Sequence, residues 1–547
     1  MSSTSKKSSV SKLFGRLRGE EKARKASAPA AETPGAQFSE ATKVLSHELL
    51  SVRRGYRIYE TYPILEPFAA INIVEDEVTG KLFYEVYEIS LTEEERTIYK
   101  QLYEHLIWEV RPVATLSSDA LNEIKLTARR LMDLFQIRFP KTPSLSWSKI
   151  NYYIERDFLG YGILDPVFRD RHVEDISCNG PGKPVYVWHR KYESLPTNVV
   201  FREETQLDEY VLKLAHMAGK HISVAYPVLD AILPGGHRVA ATYSKEVSTS
   251  GSSFTVRKFS ESPITIADMI NFGTISSDVA AYFWLAMDYK LTSLILGVTG
   301  SGKTSTLNAM ATMLRPTYKV VTIEDTPELR LPLENWVQLV SRPSYLGGAG
   351  EVSLYQLVRV SLRYRPDVIV VGEVRGDEAY VLFQSIATGH SGLTTLHAET
   401  IDAAVKRLTS PPMNIPPSYI PLVNIALLIR RVTLVDERGR SRPARKITNV
   451  WEVRDFGEYD EIARWDPAKN RFSIKLENSL VLNRISELTG RSRDDLLEEL
   501  VRRKMLLEWL VATRKMTYKD VATWIQRYYL DPVRTLREGP LYGSATQ

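Results

Sequence analysis

The sequence predicts an α/β fold, in which a domain with a parallel sheet follows a smaller α+β region and precedes a helical tail. Two observations carry this prediction. Between about residues 264 and 435, short apolar runs alternate with helical patterns, which is typical of strand–helix–strand units. Within this region, the glycine-rich segment 297–304 follows an apolar run and precedes a helical one. The carboxyl ends of parallel strands face a ligand in such folds, so we expect the functional site at this segment.

Residues 297–304 read Gly-Val-Thr-Gly-Ser-Gly-Lys-Thr and fit the P-loop pattern G-x-x-x-x-G-K-[ST]. The glycines let backbone N–H groups wrap a triphosphate, and the following helix adds partial positive charge. Lys303 is expected to reach the β- and γ-phosphates, and the Thr304 hydroxyl to coordinate Mg²⁺. A glycine turn with a surface lysine would leave the Gly-Lys-Thr placement unexplained. The predicted nucleotide-binding residues are Gly297, Val298, Thr299, Gly300, Ser301, Gly302, Lys303, Thr304 and Ser305.

Composition excludes several classes of protein. Of the 547 residues, 44% are hydrophobic, which suits three or four domains with real cores. The net charge of only +5 gives no argument for general nucleic-acid binding. The single cysteine, Cys178, excludes a disulfide scaffold and favours a reducing compartment. No apolar run approaches the roughly 18 residues needed to span a bilayer. The best candidate, residues 420–429, is too short and is predicted to be a buried strand, so we expect a soluble, intracellular protein.

The chain divides into five predicted regions. They are a disordered basic tail (1–40), an accessory α+β domain (41–145), a second α+β domain (146–263), the P-loop domain (264–435) and a strand with a helical tail (436–547). Pro140 and Pro143 mark the boundary between the two α+β regions. In the helical tail, Ser492-Arg-Asp-Asp495 resembles a capping box before an apolar run.

The basic tail holds one pattern of its own. Val10, Leu13, Phe14 and Leu17 follow helical spacing beside Lys12, Arg16 and Arg18. A short basic amphipathic helix of this kind can lie on anionic lipid or dock on a protein. A solvated tail with accidental spacing is the alternative, and the sequence leaves both open.

Three acidic residues follow the next predicted strand, Val320-Val-Thr-Ile, in the order Glu324, Asp325 and Glu328. Strand ends beside a P-loop face the ligand, so Glu324 and Asp325 are expected to reach Mg²⁺ or the attacking water. Solvated acids in a strand-end loop are the alternative interpretation.

Another strand of β-branched residues ends at Gly372-Glu373, which resembles a Walker B strand with Gly372 in place of the usual aspartate. The magnesium ligand must then come from Glu373 or Asp325. We expect Glu373 to polarise the nucleophilic water, because an acid buried there without a role would be costly.

Two histidines, His390 and His397, flank a Gly/Thr-rich strand. A zinc site would need further ligands, and no cysteine or carboxylate is suitably spaced. After two acidic motifs in a P-loop domain, the pair suggests a sensor of the γ-phosphate.

These four motifs, in this order, resemble the Walker A, Asp box, Walker B and His box of the secretion ATPase superfamily. That family includes type II and type IV secretion ATPases, type IV pilus motors and the archaeal archaellum and pilus ATPases. A Gly-Glu Walker B is usual in the family. The resemblance is strong over about residues 220–400, and the tail is most similar to archaeal members at Tyr528 and Tyr529. It implies a RecA-like P-loop NTPase domain that uses ATP and Mg²⁺.

The resemblance also directs attention to arginines outside the four motifs. Arg238 and Arg257 match N-terminal-domain arginines that approach the phosphates in such enzymes, in the manner of arginine fingers. Surface charge at strand edges is the alternative. Arg359 and Arg363 are candidates for a role between subunits, with a merely structural role equally open.

The resemblance implies a homo-hexameric ATPase at the cytoplasmic face of the membrane. It would push a polytopic platform protein and so act indirectly on pilin-like or archaellin-like substrates, or on secreted proteins. A nucleic-acid translocating or DNA-uptake motor is the main alternative, although direct nucleic-acid contact is not expected from the charge balance. A nucleotide-gated scaffold without activity is a third, which the intact Lys303, Glu324, Glu373 and histidines argue against.

Overall fold

The computed structural model describes residues 55–109, 118–137, 143–259, 263–342, 350–435 and 441–543. The chain forms two compact units: the first runs to Pro234 and includes Val239–Lys258, and the second holds Gly235–Arg238 and everything from Phe259. The basic helix predicted at residues 10–17, with the rest of the 1–40 tail, lies outside the described residues.

A nine-stranded sheet organises the first unit, in the order β1-β2-β3-β6-β5-β4-β9-β8-β7. Its strands are β1 (Tyr56–Leu65), β2 (Ala69–Asp76), β3 (Leu82–Glu88), β4 (Val173–Cys178), β5 (Pro184–His189), β6 (Glu193–Val200), β7 (Val228–Ile232), β8 (Arg238–Thr242) and β9 (Ser253–Arg257). Phe254 and Val256 of β9 are buried while Thr255 and Arg257 are exposed, which is the alternation of a strand with one covered face.

Two regions predicted as separate domains share this sheet. Strands β1 to β3 come from region 41–145 and strands β4 to β9 from region 146–263, and they meet where β3 pairs with β6 at Tyr84 and Thr197. Ile71, Ile73 and Tyr84 accordingly belong to the same buried cluster as Val185 and Val256.

In the part of the first unit that the structure describes, five helices accompany this sheet, together with short π and 3₁₀ segments. The helices are α1 (Glu93–Glu109), α2 (Ser118–Leu134), α3 (Pro143–Ile154), α4 (Asp165–Arg169) and α5 (Glu204–Met217). Helices α1, α2 and α3 form a small core of their own, centred on Leu102, Leu106 and Ile150. Helix α5 buries Leu207, Val211 and Leu214 in the sheet's core.

A second nine-stranded sheet organises the second unit, in the order β12-β11-β13-β14-β10-β15-β16-β17-β18. Its strands are β10 (Ser293–Leu296), β11 (Val320–Glu324), β12 (Trp336–Val340), β13 (Val368–Val371), β14 (Ser391–Leu396), β15 (Ile425–Val435), β16 (Ser441–Asp455), β17 (Glu458–Asp466) and β18 (Arg471–Ile474). From β12 to β15 all neighbours pair in parallel, and from β15 to β18 they pair antiparallel. The predicted α/β fold with a parallel sheet is confirmed.

Helices cover the second sheet and form the C-terminal tail. They are α6 (Ile266–Asn271), α7 (Ser277–Asp288), α8 (Lys303–Ala311), α9 (Leu354–Ser361), α10 (Glu378–Ala387), α11 (Ile401–Thr409), α12 (Leu480–Thr489), α13 (Arg493–Ala512), α14 (Tyr518–Leu530), α15 (Pro532–Glu538) and α16 (Pro540–Gly543). The capping box predicted at Ser492 and Asp495 opens α13, with both reciprocal bonds present. None of the helices among the described residues combines the length and apolar character needed to cross a bilayer.

One predicted element begins later than expected. The sequence suggested a buried strand over residues 420–429, but Pro417–Leu422 is a 3₁₀ segment and β15 starts at Ile425. Pro421 has no backbone N–H to give to a sheet ladder, so the apolar run cannot pair from its beginning.

A buried ion network joins the helical tail to the P-loop domain. Arg503 of α13 is 3% exposed and Asp288, at the end of α7, is 4% exposed. Arg503 Nη2 donates to Asp288 Oδ2 at 2.6 Å, and its Nε donates to Glu499 Oε1 at 2.9 Å. Tyr528 of α14 donates to the same Glu499 oxygen at 3.0 Å. Removing the arginine would take away the buried cation shared by the two carboxylates, and would leave Asp288 with Arg315 and Glu499 with Arg502 at the other oxygen of each group.

We therefore expect Arg503→Ala to destabilise the second unit by roughly 3 kcal/mol, the low end for a broken buried pair, because Arg315 and Arg502 still face the two carboxylates. Calorimetric unfolding of the full chain measures this as a lowered transition for the second unit. Lys504→Ala is the matched control. Lys504 is the next residue and pairs with Asp278 at 2.8 Å on the surface, so its loss should cost about 1 kcal/mol or less. Equal shifts in the two variants would contradict the buried-network interpretation.

Candidate functional site

The P-loop lies between β10 and α8, as predicted, and its backbone requires glycine. Gly300 and Gly302 have φ angles of +73° and +101°, in the left-handed region that other residues rarely adopt. A Cβ added to Gly297 would lie 2.6 Å from the Ile429 carbonyl oxygen, so this glycine lets the loop pack against β15. Gly302 begins α8 without a side-chain cap. An uncapped helix N-terminus offers free N–H donors, which suits a phosphate group.

Lys303 is buried beside this loop, at 7% exposure. Its ammonium donates to the Val298 carbonyl oxygen at 3.1 Å and lies 3.2 Å from His397 Nδ1. Burial lowers the pKa of Lys303, although the Glu373 carboxylate acts in the opposite direction. A buried amine at a helix N-terminus is suited to take up a polyanion, whose negative charge would favour the charged form of the lysine.

Glu373 completes a cluster with Lys303 and His397. His397 Nε2 lies 2.8 Å from Glu373 Oε1, and Arg375 Nη2 donates to Glu373 Oε2 at 2.6 Å. Burial and the positive charge of Lys303 lower the pKa of His397, so the neutral ring is favoured. The approach of His397 to Glu373 is close but lacks hydrogen-bond geometry, since Glu373 Oε1 is buried and makes no hydrogen bond among the described residues. Lys303 Nζ lies at 3.2 and 3.3 Å from the two ring nitrogens, so either can accept from it when unprotonated.

Sheet topology explains why three distant motifs meet. Lys303, Glu373 and His397 follow the carboxyl ends of β10, β13 and β14, which are consecutive parallel neighbours in the sheet. Parallel strands end at one edge, so residues just beyond them are brought together.

Glu324 occupies a different environment from Glu373. It is 3% exposed, and its carboxylate accepts bonds from the Glu328 and Leu329 N–H groups, both at 2.8 Å, and from Gln338 Nε2 at 3.0 Å. Burial raises its pKa to about 7. A Cβ on Gly372 would come within 3.3 Å of Glu324 Cγ, so the glycine of the Gly-Glu motif leaves room for this carboxyl.

The oxygen groups predicted to hold Mg²⁺ are of suitable chemistry, and some of them are engaged within the protein. Glu373 Oε2 accepts from Arg375 and Asp325 accepts from the Ser341 hydroxyl at 2.9 Å, whereas Glu373 Oε1 is buried and makes no hydrogen bond among the described residues. Thr304 is the second residue of α8 and is half-buried. Hydroxyl and carboxylate oxygens are the ligands that Mg²⁺ prefers, and Thr304 with Asp325 or Glu373 could supply them.

Three further predicted residues have other contacts within their own units. His390 precedes β14 and contacts the Ser385 carbonyl oxygen at 3.1 Å, so the six-residue strand separates it from His397 by about 20 Å. Arg257 ends β9 in the first unit, where its Nε donates to Asp175 at 3.5 Å. Arg238 clusters with the second unit and donates to Thr326 Oγ1 at 3.3 Å.

Arg375 is a site residue whose role the sequence did not suggest. Its guanidinium pairs with Glu373 and is 61% exposed on the side chain. The only available signal was its position two residues after Glu373 in a segment leaving the sheet. Alternate residues at a strand end often share a face, and this spacing could have indicated the pairing.

Comparison with known proteins identifies relatives over the same region. The chain is 37% identical over 392 residues to the uncharacterized protein MJ0900 of Methanocaldococcus jannaschii, covering 70% of each chain. It is 29% identical over 319 residues to the type IV secretion system protein PtlH of Bordetella pertussis, covering 53% of this chain and 92% of PtlH.

Two solved structures are also similar. The VirB11 ATPase of the Brucella suis type IV secretion system is 24% identical with a TM-score of 0.26, over 55% of this chain and 94% of that one. The ATPase DotB of Legionella pneumophila is 18% identical with a TM-score of 0.39, over 66% and 89%.

The family described as type II/IV secretion system protein matches residues 162–438, just over half of the chain. This match spans all four motifs, from the P-loop to His397. The chain therefore belongs to the type II/IV secretion system protein family, and it is an ATPase of the secretion ATPase superfamily.

Proposed function

We propose that this protein is a hexameric motor that hydrolyses ATP at the cytoplasmic face of the membrane and powers the assembly of a pilus-like or archaellum-like filament, or protein secretion. The meeting of Lys303, Glu373 and His397 beside the P-loop is the observation that carries the enzymatic part. His397 Nε2 lies 2.8 Å from Glu373 Oε1, and Lys303 lies 3.2 Å from His397 Nδ1. A carboxylate, a neutral imidazole and an ammonium in contact can hold a triphosphate and move a proton near it.

Each residue has a distinct role in this proposal. The ammonium of Lys303 turns from the Val298 carbonyl to the β- and γ-phosphates. Glu373 orients the attacking water and accepts its proton, since Arg375 holds its Oε2 while its buried Oε1 makes no hydrogen bond among the described residues. His397 contacts both Glu373 and Lys303. Loss of the γ-phosphate would therefore change the charge beside the His397 ring. Magnesium, held by Thr304 with Asp325 or Glu373, would neutralise charge on the phosphates.

The mechanical part of the proposal rests on family membership and on the sequence resemblance. A ring of six copies and a polytopic platform protein would convert ATP turnover into movement of the membrane machinery, and filament subunits would be moved indirectly. Contact of the basic 1–40 tail with anionic lipid belongs to the same proposal. Nucleic-acid translocation is the alternative, and DNA-stimulated ATP turnover would favour it over filament assembly.

His390 has a separate place in the proposal. His390 contacts the Ser385 carbonyl oxygen at 3.1 Å, so within this unit it is suited to capping the C-terminal end of α10. A sensor role for His390 would require that it act on the site of another copy.

Lys303→Ala should abolish ATP hydrolysis and weaken ATP binding at least tenfold, because each charge-assisted bond to phosphate contributes about 1.5–3 kcal/mol. Equilibrium binding of a fluorescent ATP analogue and phosphate release measure the two effects. Lys290→Ala is the control, since Lys290 pairs with Asp367 on the surface at 2.5 Å. Normal turnover in Lys303→Ala would refute the P-loop role.

Glu373→Gln should retain ATP binding while basal turnover falls by about 10²–10⁴, because the amide keeps the shape and loses the base. Glu324→Gln should lose much less turnover, since the carboxylate of Glu324 already accepts three protein N–H groups. Single-turnover hydrolysis separates the two variants. A severe loss in Glu324→Gln, with rapid turnover in Glu373→Gln, would move the base to Glu324.

Arg238 and Arg257 remain the proposed arginine fingers. Arg257→Ala should cut turnover severely while ATP affinity falls less, because a finger arginine contributes about 10³–10⁵ in rate. Arg257→Lys should rescue it poorly, since lysine lacks the planar fork. Steady-state turnover together with nucleotide binding tests this. Near-normal turnover in Arg257→Ala and Arg238→Ala would assign the phosphate contacts to other residues, with Arg359 and Arg363 next.

A further inference from the structure

His397 reaches the catalytic cluster from a short turn, residues 397–400, that connects β14 to α11. Two guanidinium groups bond to the main chain of this turn. Arg407 Nη1 donates to the His397 carbonyl oxygen at 2.9 Å, and Arg430 Nη2 donates to the Glu399 carbonyl oxygen at 2.8 Å. Neither bond involves the side chain of His397, so both leave the imidazole free to contact its partners.

The two arginines come from elements that are themselves firmly packed. Arg407 lies in the last turn of α11, and this helix buries Ala404, Val405 and Leu408. The helix is fixed at its start as well, because the Thr400 hydroxyl accepts from the Ala403 N–H at 3.1 Å. An anchor on a packed helix restrains the carbonyl that it bonds.

Arg430 lies on β15, the strand beside the P-loop strand β10. Its neighbour Ile429 is buried against the P-loop, with its carbonyl oxygen close to Gly297. Since successive side chains of a strand point to opposite faces, β15 contacts the P-loop region through Ile429 and the 397–400 turn through Arg430. Because β15 contacts both the 397–400 turn and the P-loop, it holds the two segments in a fixed relation.

We propose that Arg407 and Arg430 are positioning residues, which hold the main chain of the 397–400 turn so that the His397 side chain stays against Lys303 and Glu373. This inference rests on the proposed function, because it assigns the arginines to the same reaction. Each arginine acts through His397 and neither touches the substrate. Without these bonds the turn would be more mobile, and the His397 imidazole would move away from the Glu373 carboxylate. A displacement of about 1 Å at a catalytic group can lower the rate by about 10².

Hydrogen–deuterium exchange of the full-length protein, read on peptides that cover residues 397–403, tests the structural half. Arg407→Ala and Arg430→Ala should each raise exchange in these peptides severalfold while peptides covering α8 stay unchanged. Lys406→Ala is the matched control, since Lys406 is the exposed neighbour of Arg407 on α11. Wild-type exchange in both arginine variants would overturn the proposal.

Basal ATP turnover tests the functional half. Arg407→Ala and Arg430→Ala should lower kcat by about tenfold to 100-fold with KM for ATP within about twofold of the wild type. Arg407→Lys should recover most of the loss, because a single bond to one carbonyl needs one donor and no planar fork. Raised exchange with unchanged kcat would show that the turn's position does not serve the reaction, and would refute the proposal.

A double-mutant cycle separates a positioning role from a general loss of positive charge. If Arg407 acts through His397, adding Arg407→Ala to His397→Ala should change kcat by less than about twofold, so the two losses are not additive. Full additivity would overturn the proposal. Wild-type turnover in His397→Ala would instead count against the role given to His397 in the proposed function, and the exchange experiment would still decide whether the arginines hold the turn.

Discussion

The parallel pairing of β13, β14 and β10 is the constraint on which the site depends. Each strand delivers one functional group just beyond its carboxyl end, and no local signal joins Lys303, Glu373 and His397 along the chain. Their contacts are short because the strands are adjacent in the sheet and end at the same edge. Gly297 of the P-loop depends on the sheet as well, because the chain passes close to β15 at this residue before it enters α8.

The most local features could be predicted best from the sequence. The P-loop conformation depends on glycines within eight residues, and the cap of α13 depends on Ser492 and Asp495 alone, so both follow from short patterns. The sharing of one sheet by the two N-terminal regions was not foreseen, because it rests on a long-range pairing of β3 with β6 at Tyr84 and Thr197. Side-chain alternation shows which face of a strand is buried but not which strand lies beside it.

The two candidate acids illustrate what residue type alone cannot decide. Glu324 and Glu373 both follow buried strands, and the sequence placed both near the nucleotide. Glu324 is enclosed by main-chain N–H groups, and burial raises its pKa to about 7. Glu373 faces a histidine and two cations. The carboxyl group of Glu324 is thus suited to holding a loop, and that of Glu373 to proton transfer. Only the surrounding contacts distinguish the two residues.

The ion network of Arg503 has a consequence for how this protein could be divided. The strand pairing of β15 with β16, and the bond from Arg503 of α13 to Asp288 of α7, run across the predicted boundary after residue 435. Trp284 Nε1 on α7 donates to the Tyr529 hydroxyl of α14 at 2.9 Å. A fragment that stopped at residue 435 would expose this tryptophan and leave Asp288 without Arg503. The smallest autonomous folding unit around the P-loop therefore extends through α14, and the tail is part of its interior.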